Sequence, residues 1–169
     1  MLSFLPNNKF FIFNKVVRFF FLVDIILVAI SYITRIYASA IEVKINLSYS
    51  MIALVFTSAI FIISLKRAKE LEQNDNPRKS IKYRKKEFFF NLSFLSYLIV
   101  NVIYFYYAFF KESHMKITFI FFFLIITRFY IISKKSFKQS PVLILFNDKI
   151  LIFFCLLWTL MCFALLYYL

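Results

Sequence analysis

The residues best suited to chemistry lie in one polar segment, residues 66–87, between two long apolar runs. The segment begins with Lys66, Arg67 and Glu70, which are spaced closely enough for local ion pairs if this part is helical. Clustered cations beside a carboxylate can bind a phosphate or diphosphate, and acidic residues can help to hold Mg²⁺. The alternative is a solvated basic connector that only sets the membrane topology.

Five long apolar runs surround this segment. They cover approximately residues 19–40, 47–65, 88–110, 117–132 and 149–168. Most approach the ~20 residues that a helix needs to cross a bilayer, and their continuous apolar character excludes barrel strands. With 63% hydrophobic and 17% charged residues, the chain lacks the polar surface of a soluble domain. We therefore predict a single all-α domain over residues 1–169, a polytopic membrane bundle of about five transmembrane helices.

The basic residues predict how this bundle is oriented. The net charge is +13, and the cations fall between the apolar runs, which indicates topology setting and contact with anionic lipid rather than nucleic acid. If successive helices alternate in direction, most cations share one side of the membrane. These are Lys9, Lys15, Arg18, Lys66, Arg67, Lys69, Arg78, Lys79, Lys82, Arg84, Lys85, Lys86, Lys134, Lys135, Lys138 and Lys149. The opposite side keeps Arg35, Lys44, Lys111 and Lys116. We therefore expect a cytoplasmic N-terminus and an outward-facing C-terminus, in a bacterial inner membrane or an organellar inner membrane.

Several single residues near the helix ends have both a structural and a functional interpretation. Asp24 lies close to the cytoplasmic end of the first run, where a carboxylate either is functional or simply reaches the interface. Asp148 begins the last run, where we expect an N-cap or a partner for the helix dipole. Arg128 should face the bundle interior or reach the interface, with Asp148 as a candidate partner. Cys155 and Cys162 share one helix face without further metal ligands nearby, so we interpret them as packing residues.

Three regions, taken in order, resemble a known family. The central one reads Lys66-Arg67-Ala68-Lys69-Glu70-Leu71, then Arg78-Lys79-Ser80-Ile81, then Tyr83. The upstream one reads Phe13, Arg18, Leu22-Val23-Asp24-Ile25 and Arg35, followed by Ala38-Ser39-Ala40. The downstream one reads Ser140-Pro141-Val142, Leu145, Asp148 and Trp158. Over about residues 13–165, the chain resembles the UbiA-type prenyltransferase superfamily, and most closely its decaprenyl-phosphate phosphoribosyltransferase-like branch.

This resemblance implies the second half of such an enzyme, helices five to nine. It implies transfer of 5-phosphoribose from phosphoribosyl diphosphate to a polyprenyl phosphate, with Mg²⁺ as cofactor. It also implies partners: membrane lipid and a polyprenyl phosphate or prenyl diphosphate. The residues that it assigns to diphosphate or substrate binding are Lys66, Arg67, Glu70, Arg78 and Tyr83, with Arg18 and Asp24 in support. It assigns no catalytic residue and no certain metal ligand.

The chain also departs from the family pattern. The first Asp-rich motif has no counterpart, and Asn74-Asp75 lacks the aspartates that would follow in that motif. Phe13 and Arg18 stand where the family has Tyr and Lys. Half of the expected diphosphate clamp is therefore missing, and a separately encoded N-terminal half becomes a further expected partner. Two alternatives stay open: a non-enzymatic membrane subunit or assembly protein, and an inactive remnant of the transferase.

Overall fold

A computed structural model describes the backbone of most of the chain and the side chains of a slightly smaller part. The backbone is described for residues 7–73, 86–111, 113–135 and 141–168. Side chains are described for residues 23–71, 86–111, 114–135, 143–165 and 167.

Helices make up nearly all of the described backbone, and none of it forms a strand. The six α-helices are α1 (Asn7–Glu42), α2 (Tyr49–Gln73), α3 (Lys86–Tyr106), α4 (Lys116–Lys135), α5 (Pro141–Asn147) and α6 (Lys149–Tyr168). A π-helical turn, Tyr107–Lys111, and a 3₁₀ turn, Ser113–Met115, connect α3 to α4. The all-α prediction is confirmed. The short α5 was not predicted; it begins at Pro141, a residue that suits the first helical position because its missing N–H has no partner there.

Four helices are long and apolar enough to cross a membrane. Their candidate spans are Val23–Glu42, Tyr49–Leu71, Lys86–Lys111 and Lys116–Lys135. The fifth predicted span falls in α6, which is apolar but shorter over its described part, Lys149–Leu165. Large apolar side chains such as Leu27, Val102 and Leu160 are exposed on these helices, as lipid-facing residues are. The fold is therefore that of a polytopic α-helical membrane protein.

The bundle is built around α2 and α3. In the cluster nearest the basic end, Ile25 and Ala29 of α1 pack with Ala59 and Ile63 of α2. A central cluster joins α2 to α6, and it consists of Phe61, Leu65, Tyr97, Phe129, Ile144 and Leu151. Because the sequence contains no glycine, the fully buried Ala29 supplies the small residue that lets α1 approach α2 closely. The helix α1 packs mainly on α2 and is peripheral to the rest of the bundle.

The turn between α1 and α2 fixes the register of these two helices. Lys44 has a φ of 57°, a left-handed conformation in which glycine is the usual residue. Its N–H donates to the Ile41 carbonyl, and the next N–H, that of Ile45, donates to the Ala40 carbonyl. These two bonds form a Schellman motif that ends α1. The hydroxyl of Ser48 then accepts a hydrogen bond from the Met51 N–H at 3.3 Å and caps α2.

Candidate functional site at the basic end of the bundle

The candidate site is centred on Arg67, whose side chain is only 7% exposed. One terminal nitrogen of its guanidinium donates to Oε2 of Glu70 at 2.8 Å. The other terminal nitrogen donates to Oδ2 of Asp24 on α1, also at 2.8 Å. Arg67, Asp24 and Glu70 are called the Arg67 network below.

The helical hairpin brings these residues together. Asp24 lies 18 residues before the end of α1 at Glu42, and Arg67 lies 18 residues after the start of α2 at Tyr49. At 1.5 Å per residue, both are about 27 Å from the connecting turn, and they therefore lie at the same level. Glu70 follows Arg67 by three residues, a spacing that places both side chains on one face of α2.

The network contains one cation and two carboxylates, and one of its hydrogen-bond donors is left without a partner among the described residues. A buried guanidinium requires paired carboxylates and hydrogen bonds, because its desolvation is costly. Two carboxylates meet that need for the terminal nitrogens, but Nε of Arg67 is buried without a hydrogen-bond partner among the described residues. Asp24 is the accessible member, with 39% of its side chain exposed, and Glu70 is 20% exposed.

The structure brings three of the predicted site residues together and separates one. Arg67 and Glu70 form the local ion pair that their spacing predicted, whereas the contact between Arg67 and Asp24 was not predicted. Lys66 is exposed, and no carboxylate pairs with it in the part of the chain that the structure describes. The burial of Lys69, which is 2% exposed, was also missed, because a lysine in a basic segment is ordinarily expected to be solvated.

The remaining predicted residues lie where the structure gives less detail. Arg18 belongs to α1, of which the backbone alone is described at that position. Arg78 and Tyr83 lie outside the described residues, as does most of the second half of the 66–87 segment. Their part in a substrate site therefore stays a prediction.

The residues that the structure describes do not provide a complete set of ligands for Mg²⁺. They contain no group of three or more His, Cys, Asp or Glu residues that could hold a metal ion. The carboxylates of Asp24 and Glu70 both accept hydrogen bonds from Arg67. These residues do not form a Mg²⁺ site by themselves, and Mg²⁺ stays a prediction from the resemblance.

A second arginine–aspartate pair joins α4 to the start of α6. Nε of Arg128 donates to Oδ2 of Asp148 at 2.8 Å, and a terminal nitrogen donates to Oδ1 at 3.1 Å. Oδ1 also accepts the N–H groups of Ile150 and Leu151, so Asp148 is the N-cap of α6. The predicted N-cap and the candidate partnership with Arg128 are both confirmed. The hydrogen bonds from Arg128, followed by those from the backbone, hold the pKa of Asp148 below its ordinary value, although burial opposes the shift.

Hydroxyl pairs connect the helices in the apolar interior. The hydroxyls of Tyr97 on α3 and Thr127 on α4 lie 2.8 Å apart. Deeper along α3, the Tyr104 hydroxyl lies 2.9 Å from that of Thr118 and accepts a hydrogen bond from the Trp158 indole at 3.2 Å. Sequence reasoning missed these links, because a lone Tyr or Thr in an apolar run does not reveal its partner. They hold α3, α4 and α6 together and suggest no chemistry of their own.

The fold and these contacts define a polytopic all-α membrane protein with a buried arginine network at its basic end. No protein-family model matches the chain, and no curated protein has significant sequence similarity to it. The resemblance to UbiA-type transferases therefore stays a prediction.

Proposed function

We propose that this chain is the C-terminal portion of a UbiA-type membrane transferase that acts on a polyprenyl phosphate or a prenyl diphosphate. The observation that carries the proposal is the Arg67 network. Asp24 and Arg67, which are 43 positions apart, were assigned to the substrate site from separate stretches of sequence, and their side chains are in direct contact. Residues that serve one substrate site are expected to lie together in this way.

The chemistry of the network suits phosphate binding. Arginine binds phosphate through several N–H groups in a fixed plane, and Nε of Arg67 still has a hydrogen to donate. A substrate phosphate would approach from the side of Asp24, the accessible carboxylate, and replace it on the guanidinium. Once Asp24 is displaced, the guanidinium would face the departing diphosphate and stabilise its negative charge in a water-poor site. In this proposal Arg78 and Tyr83 supply further contacts to the phosphates, as the resemblance implies, whereas Lys66 is exposed on α2 outside the Arg67 network.

The same proposal sets the membrane orientation. The C-terminal end of α2, the N-terminal end of α3 and the N-terminal end of α6 lie at one end of the bundle, which is rich in Lys and Arg. By the positive-inside rule this end faces the cytoplasm or the organellar equivalent. The substrate phosphates and phosphoribosyl diphosphate would meet there.

A transfer assay tests the proposal. Membranes containing the chain would receive Mg²⁺, labelled phosphoribosyl diphosphate and a polyprenyl phosphate, with and without a separately encoded N-terminal half. We expect labelled lipid product that falls at least a hundredfold in Arg67→Ala, because loss of one electrostatic contact to the reacting group costs about that factor. Arg128→Ala is the control for loss of an arginine paired with an aspartate, and product is expressed per amount of folded chain in the membranes, because Arg67 is the more deeply buried arginine. Absence of product from the unmodified chain under both conditions would exclude the phosphoribosyl reaction.

The second candidate function is non-enzymatic. The chain would then be a membrane subunit, an assembly protein or an inactive remnant of the transferase. It is favoured by the pairing of both terminal nitrogens of Arg67 with carboxylates, which makes the network a sufficient structural tie between α1 and α2. If this alternative holds, Glu70→Gln should leave the function of the chain unchanged in cells, because the tie to Asp24 is kept. Loss of function in Glu70→Gln with normal membrane levels would argue against it.

A further inference from the structure

A groove of about 240 Å³ opens on the flank of the contact between α1 and α2. Tyr32 lines it on α1, and residues between Leu54 and Ile63 line it on α2. Both Tyr32 and Ile62 of its lining are substantially exposed, so the groove opens toward the lipid. It lies within two candidate membrane spans.

The groove suits hydrocarbon rather than a polar ligand. Its one serine, Ser58, donates its hydroxyl to the Leu54 carbonyl at 2.7 Å and so has no hydrogen left for a ligand. Because the bilayer core contains no water, an apolar groove that opens into it is filled by hydrocarbon. In a bilayer, the hydrocarbon at hand is an acyl chain.

The row of α2 residues that lines the groove ends at a positively charged residue, Lys66. Leu54, Ser58, Ile62 and Lys66 follow one another at intervals of four residues, so they form one row along α2. This row is about 18 Å long. Lys66, at its end, is exposed, and within the described ranges no carboxylate neutralises it. A lipid chain along the row would thus place its headgroup beside an ammonium group.

We infer that the groove and Lys66 bind an anionic phospholipid, with one acyl chain over Ser58 and Ile62 and the phosphate at Lys66. A single lysine is a compact charge on a flexible stem, which suits a lipid headgroup. In the proposed function, the substrate phosphate at the Arg67 network would instead be bound by a planar guanidinium. The inference assigns Lys66 a lipid contact and does not depend on transferase activity.

Native mass spectrometry of the full chain in detergent tests this inference. The protein would be incubated with phosphatidylglycerol, with phosphatidylcholine or with polyprenyl phosphate at equal concentrations. We expect one retained phosphatidylglycerol per chain, in clear preference to phosphatidylcholine. Ser58→Phe, which fills the groove, should reduce that retention about tenfold, because the phenyl ring occupies the space in which the acyl chain makes its packing contacts.

Ser31→Phe is the matched control, since Ser31 is also a serine on a membrane helix whose hydroxyl bonds its own backbone, at 2.7 Å, but it is exposed outside the groove. It should retain lipid as the unmodified chain does. Lys66→Gln, a surface change that spares folding, should keep one lipid bound but abolish the preference for phosphatidylglycerol. Unchanged retention in Ser58→Phe, or equal retention of phosphatidylcholine by the unmodified chain, would overturn the inference. Preferential retention of polyprenyl phosphate would overturn the assignment to phospholipid.

Discussion

The Arg67 network and the Arg128–Asp148 pair each contain an arginine that binds an aspartate on another helix or helix end, but the two arginines differ in burial. Arg67 is 7% exposed and connects two helices through side chains alone. Arg128 is 37% exposed, and its partner Asp148 also caps α6 through backbone N–H groups. A buried guanidinium depends on its partners because water does not replace them, whereas a half-exposed one is partly solvated. The comparison indicates that the first pair contributes through charge and the second mainly through capping.

The largest expected effect comes from removing each arginine in turn. Arg67→Ala leaves two carboxylates without their cation, and we expect a loss of about 3 kcal/mol in the free energy of unfolding, at the lower end for buried pairs because Asp24 is partly exposed. Arg128→Ala should cost only about 1 kcal/mol. Unfolding of both variants in mixed detergent micelles provides the measurement. Equal losses would show that burial does not distinguish the two pairs.

A smaller effect on the free energy of unfolding is expected at Asp148. Its Ala and Asn variants distinguish the contribution of the N-cap from that of the charge. Asp148→Ala should cost about 1–2 kcal/mol, because α6 loses its N-cap, whereas Asp148→Asn keeps a capping oxygen and should cost a few tenths of a kcal/mol. At Asp24, which caps no helix, Asn removes the charge but keeps one acceptor oxygen for Arg67, so it should be less destabilising than Ala but more destabilising than Asp148→Asn. The same micelle assay applies to all four variants. A loss in Asp148→Asn as large as in Asp148→Ala would mean that the ion pair outweighs the cap.

The smallest expected effect depends on pH. The pKa of Asp148 is lower in the folded protein than its ordinary value, which is about 3.9 in an unfolded chain. The stabilisation from its ionised form is therefore complete above about pH 4 and is lost as the pH falls through the folded-state pKa. The unmodified chain and Asp148→Asn should accordingly converge in stability as the pH is lowered from 6 toward 3. A difference that stays constant over that range would contradict the assigned origin of the shift.

The sequence predicted the features that depend on local spacing. Continuous apolar runs predicted the helices, a spacing of three predicted the pair of Arg67 and Glu70, and the position of Asp148 before an apolar run predicted the N-cap. The end of α2 was less clear. The apolar run ends near residue 65, but the helix continues to Gln73, because charged residues prolong a helix without prolonging its hydrophobic pattern.

The contacts between distant residues could not be predicted in the same way. The meeting of Asp24 and Arg67 depends on the register of a hairpin, and that register is fixed by a turn in which Lys44 adopts a left-handed conformation. Glycine would have indicated such a turn, but the chain contains none. The groove is likewise lined by residues of both α1 and α2, and no local pattern encodes how the two helices pack.

The contact between Trp158 and Tyr104 gives the protein a built-in optical probe. The chain has a single tryptophan, and its indole N–H donates to the Tyr104 hydroxyl while its ring lies 5.8 Å from that of Phe122. The intrinsic fluorescence of the chain therefore arises largely at the point where α3, α4 and α6 meet. Separation of α6 from its neighbours would change the emission without any attached label, and the folding of this part of the bundle can be followed with the purified chain in lipid vesicles.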